Sequence, residues 1–449
     1  MIAIKKIFIL VLYFAAFISA AFSSSIPSTY STDSLDDRRL GNKVLQSIWN
    51  SNLLLKDFES QSYLKDLGKF LVERSDAPKK HFEFSVLRKK NVNAFASWGG
   101  YISVYGGLIL FTQNESELAA ILAHEISHVT QEHLNRSKDK NSAQLLYSVG
   151  GLLASILIDD SELSEAVILS TLASDMQSQI NFTREHEWEA DNFAIKILHK
   201  TDFNQDALAT FFERIKNTPS EREFLKTHPN NLSRVANNLS RKNISKNHSS
   251  SFDYEALKIR VSYFDGRDYR VYDERQKLYK NAFYDFQDSK LDNAKKSIAK
   301  LLMIDQSFPS LILAGRIFSK LNKIDDALNY FSKAENIKKN ELTKYHIAET
   351  YLINSLPSEA IKTLKKFVKL NLTSVYTNEL LAEAYSQINE MDRYHYYIGK
   401  SEFLKGNYDK SLKHFTYSRK VSDDEDFISI LETEILRTEQ EEQLLKIPD

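Results

Sequence analysis

Cysteine is missing from all 449 residues. Its absence excludes thiol catalysis, disulfide staples, thiolate metal ligands and a lipid-bearing N-terminal Cys. Glycine and proline are also scarce, at 12 and 7 residues, which weighs against a turn-rich all-β fold and toward helices. Neither sign of charge dominates, with 59 basic and 60 acidic side chains. Nothing in that balance suggests a nucleic-acid binder or a polybasic membrane adherent. What is present is ordinary for a globular chain, 42% hydrophobic and 12% aromatic, and the length suits two or three domains.

The first residues are a separate device. Lys5 and Lys6 precede Ile7–Ile18, followed by Ser19, Ala20 and Ala21. A charged start, an apolar stretch and small residues describe a secretory signal peptide (1–21), cut near Ala20–Ala21. The run is shorter than the roughly 20 residues of a spanning helix, so an exported, soluble mature protein is expected rather than an anchored one. After a Ser-rich leader, residues 38–75 read as helical. His81–Leu87 alternates Phe82, Phe84 and Val86 with polar neighbours, as a strand does. Asn93–Ile109 reads as strand, Gly-Gly kink and strand. Asn114–Leu134 reads as an amphipathic helix capped by Asn114. Two further helices are expected over residues 142–180, with the apolar stretch Leu145–Ile158 as a lid or a buried helix, and 236–251 reads as a surface linker.

From about residue 275 small residues recur twelve apart: Ala282/Ala294, Gly315/Ala327, Ala348/Ala360, Ala382/Tyr394 and Gly399/Ser411. Successive units start 33, 33 and 34 residues apart, the tetratricopeptide period, in which small side chains let paired helices approach. The last interval is 17, as if one helix served two hairpins. The repeats are degenerate, without the usual Trp. Residues 432–446, rich in Glu and Lys, would cap the array.

Two motifs carry chemistry. "HEISH" puts His124 and His128 at i and i+4 on one helix face, within reach of one metal ion, with Glu125 placed to polarise water. A catalytic zinc needs a third protein ligand, and "EHEWEAD" (residues 185–191) supplies candidates. There Glu187 and Asp191 share a face, with Ala190 where two helices would cross. Glu185 and Glu189 point elsewhere, Glu189 toward solvent, and His186 is rotated about 100° from Glu187.

HExxH with a later ExxAD, preceded by "NAFASWGGYISVYGGLI" and followed by "THPNNLSR" (Thr227–Arg234), resembles the HtpX-like and CAAX-prenyl-protease superfamily of zinc metallopeptidases. Together with the signal peptide and repeats, it is similar to the periplasmic members that attend outer-membrane protein assembly. Trp98 departs from relatives, which often carry Pro there. The resemblance implies one Zn²⁺ per chain, held by His124, His128 and Glu187, with Glu125 as general base. It also implies that Asp191 orients a ligating imidazole, that Arg234 stabilises the oxyanion, and that His228 is a possible fourth ligand in a latent state. The edge strand Asn93, Ala94, Phe95, Ala96 would take an extended substrate.

The expected fold is mostly α: an α+β zinc metallopeptidase domain with a small β-sheet (22–255), then an α-helical tetratricopeptide-type solenoid (256–449). The expected function is a periplasmic zinc metalloendopeptidase with chaperone-like activity in quality control of outer-membrane β-barrel proteins. Its partners would be unfolded or misassembled barrel proteins and the barrel-assembly complex, docked through the repeats. Nucleic acid is not an expected partner, and membrane association would be peripheral. The alternative is mainly a chaperone or adaptor with a latent protease site.

Overall fold

The computed structural model describes residues 35–138, 176–215, 224, 228, 248–267, 269–271, 273–369 and 373–446. The signal-peptide segment, Leu145–Ile158 and Arg234 lie outside these. Among the described residues no helix is long and apolar enough to cross a membrane.

The fold class is as expected, helical with, among the described residues, one small sheet. The helical stretch anticipated over 38–75 is two helices, Leu35–Asn50 and Phe58–Val72. Between them the chain runs extended, and the Leu55 N–H donates to the Val86 carbonyl at 2.9 Å. Asp57 caps the second helix by accepting from the Ser60 N–H. Strand β1 (Glu83–Leu87) buries Phe84 and Val86, the alternation that predicts it. Strand β2 (Ala94–Ala96) and strand β3 (Tyr101–Tyr105) flank a 3₁₀ turn over Trp98–Gly100. Gly100 sits at φ 76°, and a Cβ there would meet the His81 carbonyl oxygen at 2.0 Å, so only glycine fits. The order is β1-β3-β2, with β1 parallel and β2 antiparallel to β3. β2 is thus an edge. A short helix, Gly106–Phe111, follows β3 where a longer strand was expected. Gly107 permits it by passing close to the Lys90 and Asn91 carbonyls.

The HEISH helix spans Glu115–Thr130, N-capped by Asn114 as expected. It is buried on almost every side. Its first-turn acids serve as internal anchors: Glu117 receives Arg214, and Glu115 accepts from the Tyr63 hydroxyl at 2.6 Å. The helix Met176–His199 packs along it.

The repeat pairs fall on successive antiparallel helices. Ala282 and Ala294 lie on Glu274–Gln287 and Leu291–Ile304, Gly315 and Ala327 on Phe308–Lys320 and Ile324–Ile337, and Ala348 and Ala360 on Glu341–Ile353 and Pro357–Lys369. A Cβ at Gly315 would sit 2.4 Å from the Phe331 ring, so the small residue is what seats that ring. Tyr394 and Gly399 share the helix Met391–Leu404, which pairs with Val375–Gln387 before it and Tyr408–Val421 after it. That shared helix accounts for the 17-residue interval. Glu425–Lys446 closes the array.

The division expected between residues 255 and 256 falls inside the helix Phe252–Asp265. Tyr254, Leu257 and Val261 join the core around the sheet and the HEISH helix, while Phe252, Ala256 and Ile259 join the first solenoid core. We propose that the two halves share it. A buried charge cluster reinforces the joint. Arg260 on this helix reaches Asp57 and, at 2.8 Å, Glu59, which also meets Arg316 and His346 from the solenoid. Burial opposes the Glu59 charge, but Arg260, Arg316 and His346 outweigh it and hold the carboxyl well below its usual range. At the far end the first helix clasps the solenoid: Gln46 Nε2 donates to the Gly406 carbonyl at 2.6 Å and Arg39 Nε to that of Leu444 at 3.0 Å.

Glu59→Ala would leave two buried guanidinium groups short of a counter-charge, at a cost of about 3–5 kcal/mol. Urea denaturation of the purified protein should show the loss. A change within about 0.5 kcal/mol, as for a surface site, would contradict this account of the joint.

Candidate metal centre

The HEISH helix and the Met176–His199 helix carry every candidate ligand but one. Ala190 and Ala194 are fully buried in the crossing, and each puts only a methyl group between the backbones. His124 and His128, one turn apart, aim Nε2 at a common point, with the two nitrogens 3.0 Å apart. Glu187 enters from the other helix, its Oε2 3.4 Å from His124 Nε2 and its Oε1 3.3 Å from His128 Nε2. His228 closes the group, its Nδ1 3.3 Å from both His124 Nε2 and Glu187 Oε1. One ligand atom from each of the four lies within 4.8 Å of the others, and His124, Glu187 and His228 are buried. Phe224, itself in the core around the HEISH helix, stacks on the His228 ring.

Glu125 is buried beside this group, with Oε1 3.3 Å from His228 Nε2. Asp191 stands on the opposite side of His124, its Oδ1 3.0 Å from Nδ1. Burial works against charge on His124, yet the hydrogen bonds of Asp191 and Glu187 prevail and hold its pKa up at about 10. The His228 pKa is also raised, the attraction of Glu187 and Glu125 exceeding the effect of burial. Three imidazoles and a carboxylate converging in a dry pocket form a donor set that suits a divalent ion such as Zn²⁺. Nitrogen lone pairs 3.0–3.3 Å apart repel unless a proton or cation lies between them, so the residues fit an ion here.

Glu187 and Asp191, read as sharing one helix face, both meet His124: Glu187 on the inner nitrogen, Asp191 on the outer. Glu185 points away from the group and is exposed. His186, read as rotated away from Glu187, and Glu189, read as facing solvent, both make contacts near the group. His186 is buried and stacks on His133, with centroids 4.3 Å apart and planes 3° from parallel. Glu189 accepts from His133 Nε2 at 3.2 Å and from Arg136 at 2.7 Å. Burial first, then His128 and His186, depress the His133 pKa to about 3.

Helix phase hides His133. Five residues beyond His128, it would point away on a continuous helix. The HEISH helix instead ends at Thr130, Glu132 adopts φ 55°, and the chain turns back so that His133 Nδ1 lies 2.9 Å from His128 Nδ1. An HExxH followed by a histidine at this spacing is the only signal in the sequence.

The candidate substrate edge is β2. The Asn93 carbonyl bonds inward to the Tyr105 N–H at 3.0 Å, so the Ala94 carbonyl faces outward, where His228 Nε2 approaches to 3.3 Å.

Residues 59–242 match the profile described as Peptidase family M48. The chain is 30% identical over 380 residues to the beta-barrel assembly-enhancing protease of Escherichia coli (strain K12), covering 80% of this chain and 78% of that protein. The protein of the same name from Yersinia pestis is 29% identical over 391 residues, covering 80% and 79%. The metalloprotease LoiP of Escherichia coli is 31% identical over 138 residues, 29% of this chain and 50% of that one.

Proposed function

The chain belongs to peptidase family M48, and on that premise we propose a periplasmic zinc endopeptidase acting on unfolded or misassembled outer-membrane β-barrel proteins. The observation that carries the chemistry is the buried set of His124, His128 and Glu187 with Glu125 beside it but outside the donor group. The barrel-protein substrate rests on the names of the relatives that align over most of both chains.

His124, His128 and Glu187 would hold the ion. When bound, it supplies Lewis-acid polarisation of the scissile carbonyl and of water. Glu125 takes the proton of the attacking water and delivers it to the departing amine. Asp191 holds the proton of His124 on Nδ1, which keeps the Nε2 lone pair turned inward. Arg234 is assigned the oxyanion. The outer edge of β2 would bind an extended chain through main-chain hydrogen bonds, an affinity that asks for little sequence and suits unfolded substrates. The solenoid offers a surface for protein partners, and the barrel-assembly complex is the partner proposed for it.

One observation favours a second reading, a latent ground state with chaperone or adaptor activity. His228 supplies a fourth donor, and its Nε2 lies 3.3 Å from both Glu125 Oε1 and the Ala94 carbonyl. A single ring thus engages the metal position, the base and the substrate edge, and cleavage would require it to withdraw.

Glu125→Gln is expected to keep its zinc and to lose cleavage of a purified, unfolded barrel protein. Cleavage at the wild-type rate would contradict the enzymatic reading. His228→Ala is expected to raise basal cleavage in the same assay, and an equal or lower rate would refute latency.

A further inference from the structure

We infer that His133 is a positioning residue of the metal centre: with Glu189 behind it, it keeps the proton of His128 on Nδ1 and so reserves the Nε2 lone pair for the ion. This rests on the proposed reading of His128 as a ligand.

The inference follows from counting protons along a chain of contacts. Glu189, held at 2.7 Å by the Arg136 guanidinium, is a carboxylate and can only accept. His133 Nε2, 3.2 Å away, therefore carries a hydrogen. In a neutral ring that leaves Nδ1 bare. The 2.9 Å contact between His133 Nδ1 and His128 Nδ1 needs one proton, and His128 must supply it. A neutral His128 with its hydrogen on Nδ1 has a bare Nε2, the nitrogen that lies 3.0 Å from His124 Nε2 and 3.3 Å from Glu187 Oε1. An imidazolium at His133 would put a second cation, 2% exposed, against a ligand of a divalent ion.

The ring is also clamped. His186 lies parallel to it at 4.3 Å, and the turn at Glu132 sets its approach to His128. His124 and His128 are therefore backed differently. His124 meets the Asp191 carboxylate directly, whereas His128 meets a neutral ring that relays to Glu189. The acidic motif thus serves the site on two faces, Glu187 and Asp191 around His124 and Glu189 through His133 around His128.

The test uses the full chain with His133→Leu and His133→Gln. Leucine fills the space with no polar atom, while glutamine keeps an acceptor toward His128 and a donor toward Glu189. Zinc affinity is measured by chelator competition, the ligand field by the visible absorption of the cobalt-loaded protein, and folding by thermal melting of the metal-free forms. His133→Leu is expected to bind zinc about 10–100-fold more weakly and to shift the cobalt bands. His133→Gln should recover most of that loss, with the two metal-free variants melting together. Wild-type affinity in His133→Leu, or equal weakness in both variants, overturns the role. His128→Ala separates this from the underlying reading: wild-type zinc affinity in that variant would refute the metal centre itself.

Discussion

The group formed by His124, His128, Glu187 and Asp191 depends on one helix crossing. The HEISH helix runs through the middle of the peptidase core, and the Met176–His199 helix lies along it through Ala190 and Ala194. Because interiors pack at crystal-like density, the crossing admits little freedom. That rigidity lets Glu187 meet two imidazole nitrogens at once while Asp191, one turn on, reaches the outer nitrogen of the same His124.

The same economy links the two halves. The Phe252–Asp265 helix gives one face to the peptidase core and another to the solenoid, and Arg260 leaves it to meet acids that begin the Phe58–Val72 helix. The Leu35–Asn50 helix approaches the metal region near Trp98, through Gly41, and also bonds the last solenoid helices. One helix thus touches both the end of the solenoid and the turn at Trp98.

Much of this was legible because it is periodic. Helix phase paired Glu187 with Asp191, and a 33-residue rhythm of small residues located the hairpins, down to the helix shared by Tyr394 and Gly399. What was hidden is non-periodic. The positive φ at Glu132 swings His133 back onto His128, which no helical wheel foresees. The burial of His186 and the pairing of Glu189 follow from that turn. The Glu59 cluster joins residues more than 200 positions apart, so its members read locally as ordinary surface charges.

The central claim is that His124, His128 and Glu187 hold one ion, with His228 as the added donor of the latent state, and that Glu187 is indispensable to it. The most direct measurement is the metal content, by elemental mass spectrometry, of the purified wild type and of Glu187→Ala. One zinc per wild-type chain and almost none in the variant is the predicted result. Equal zinc in both, or a wild type purified with none and unable to take it up, would contradict the account.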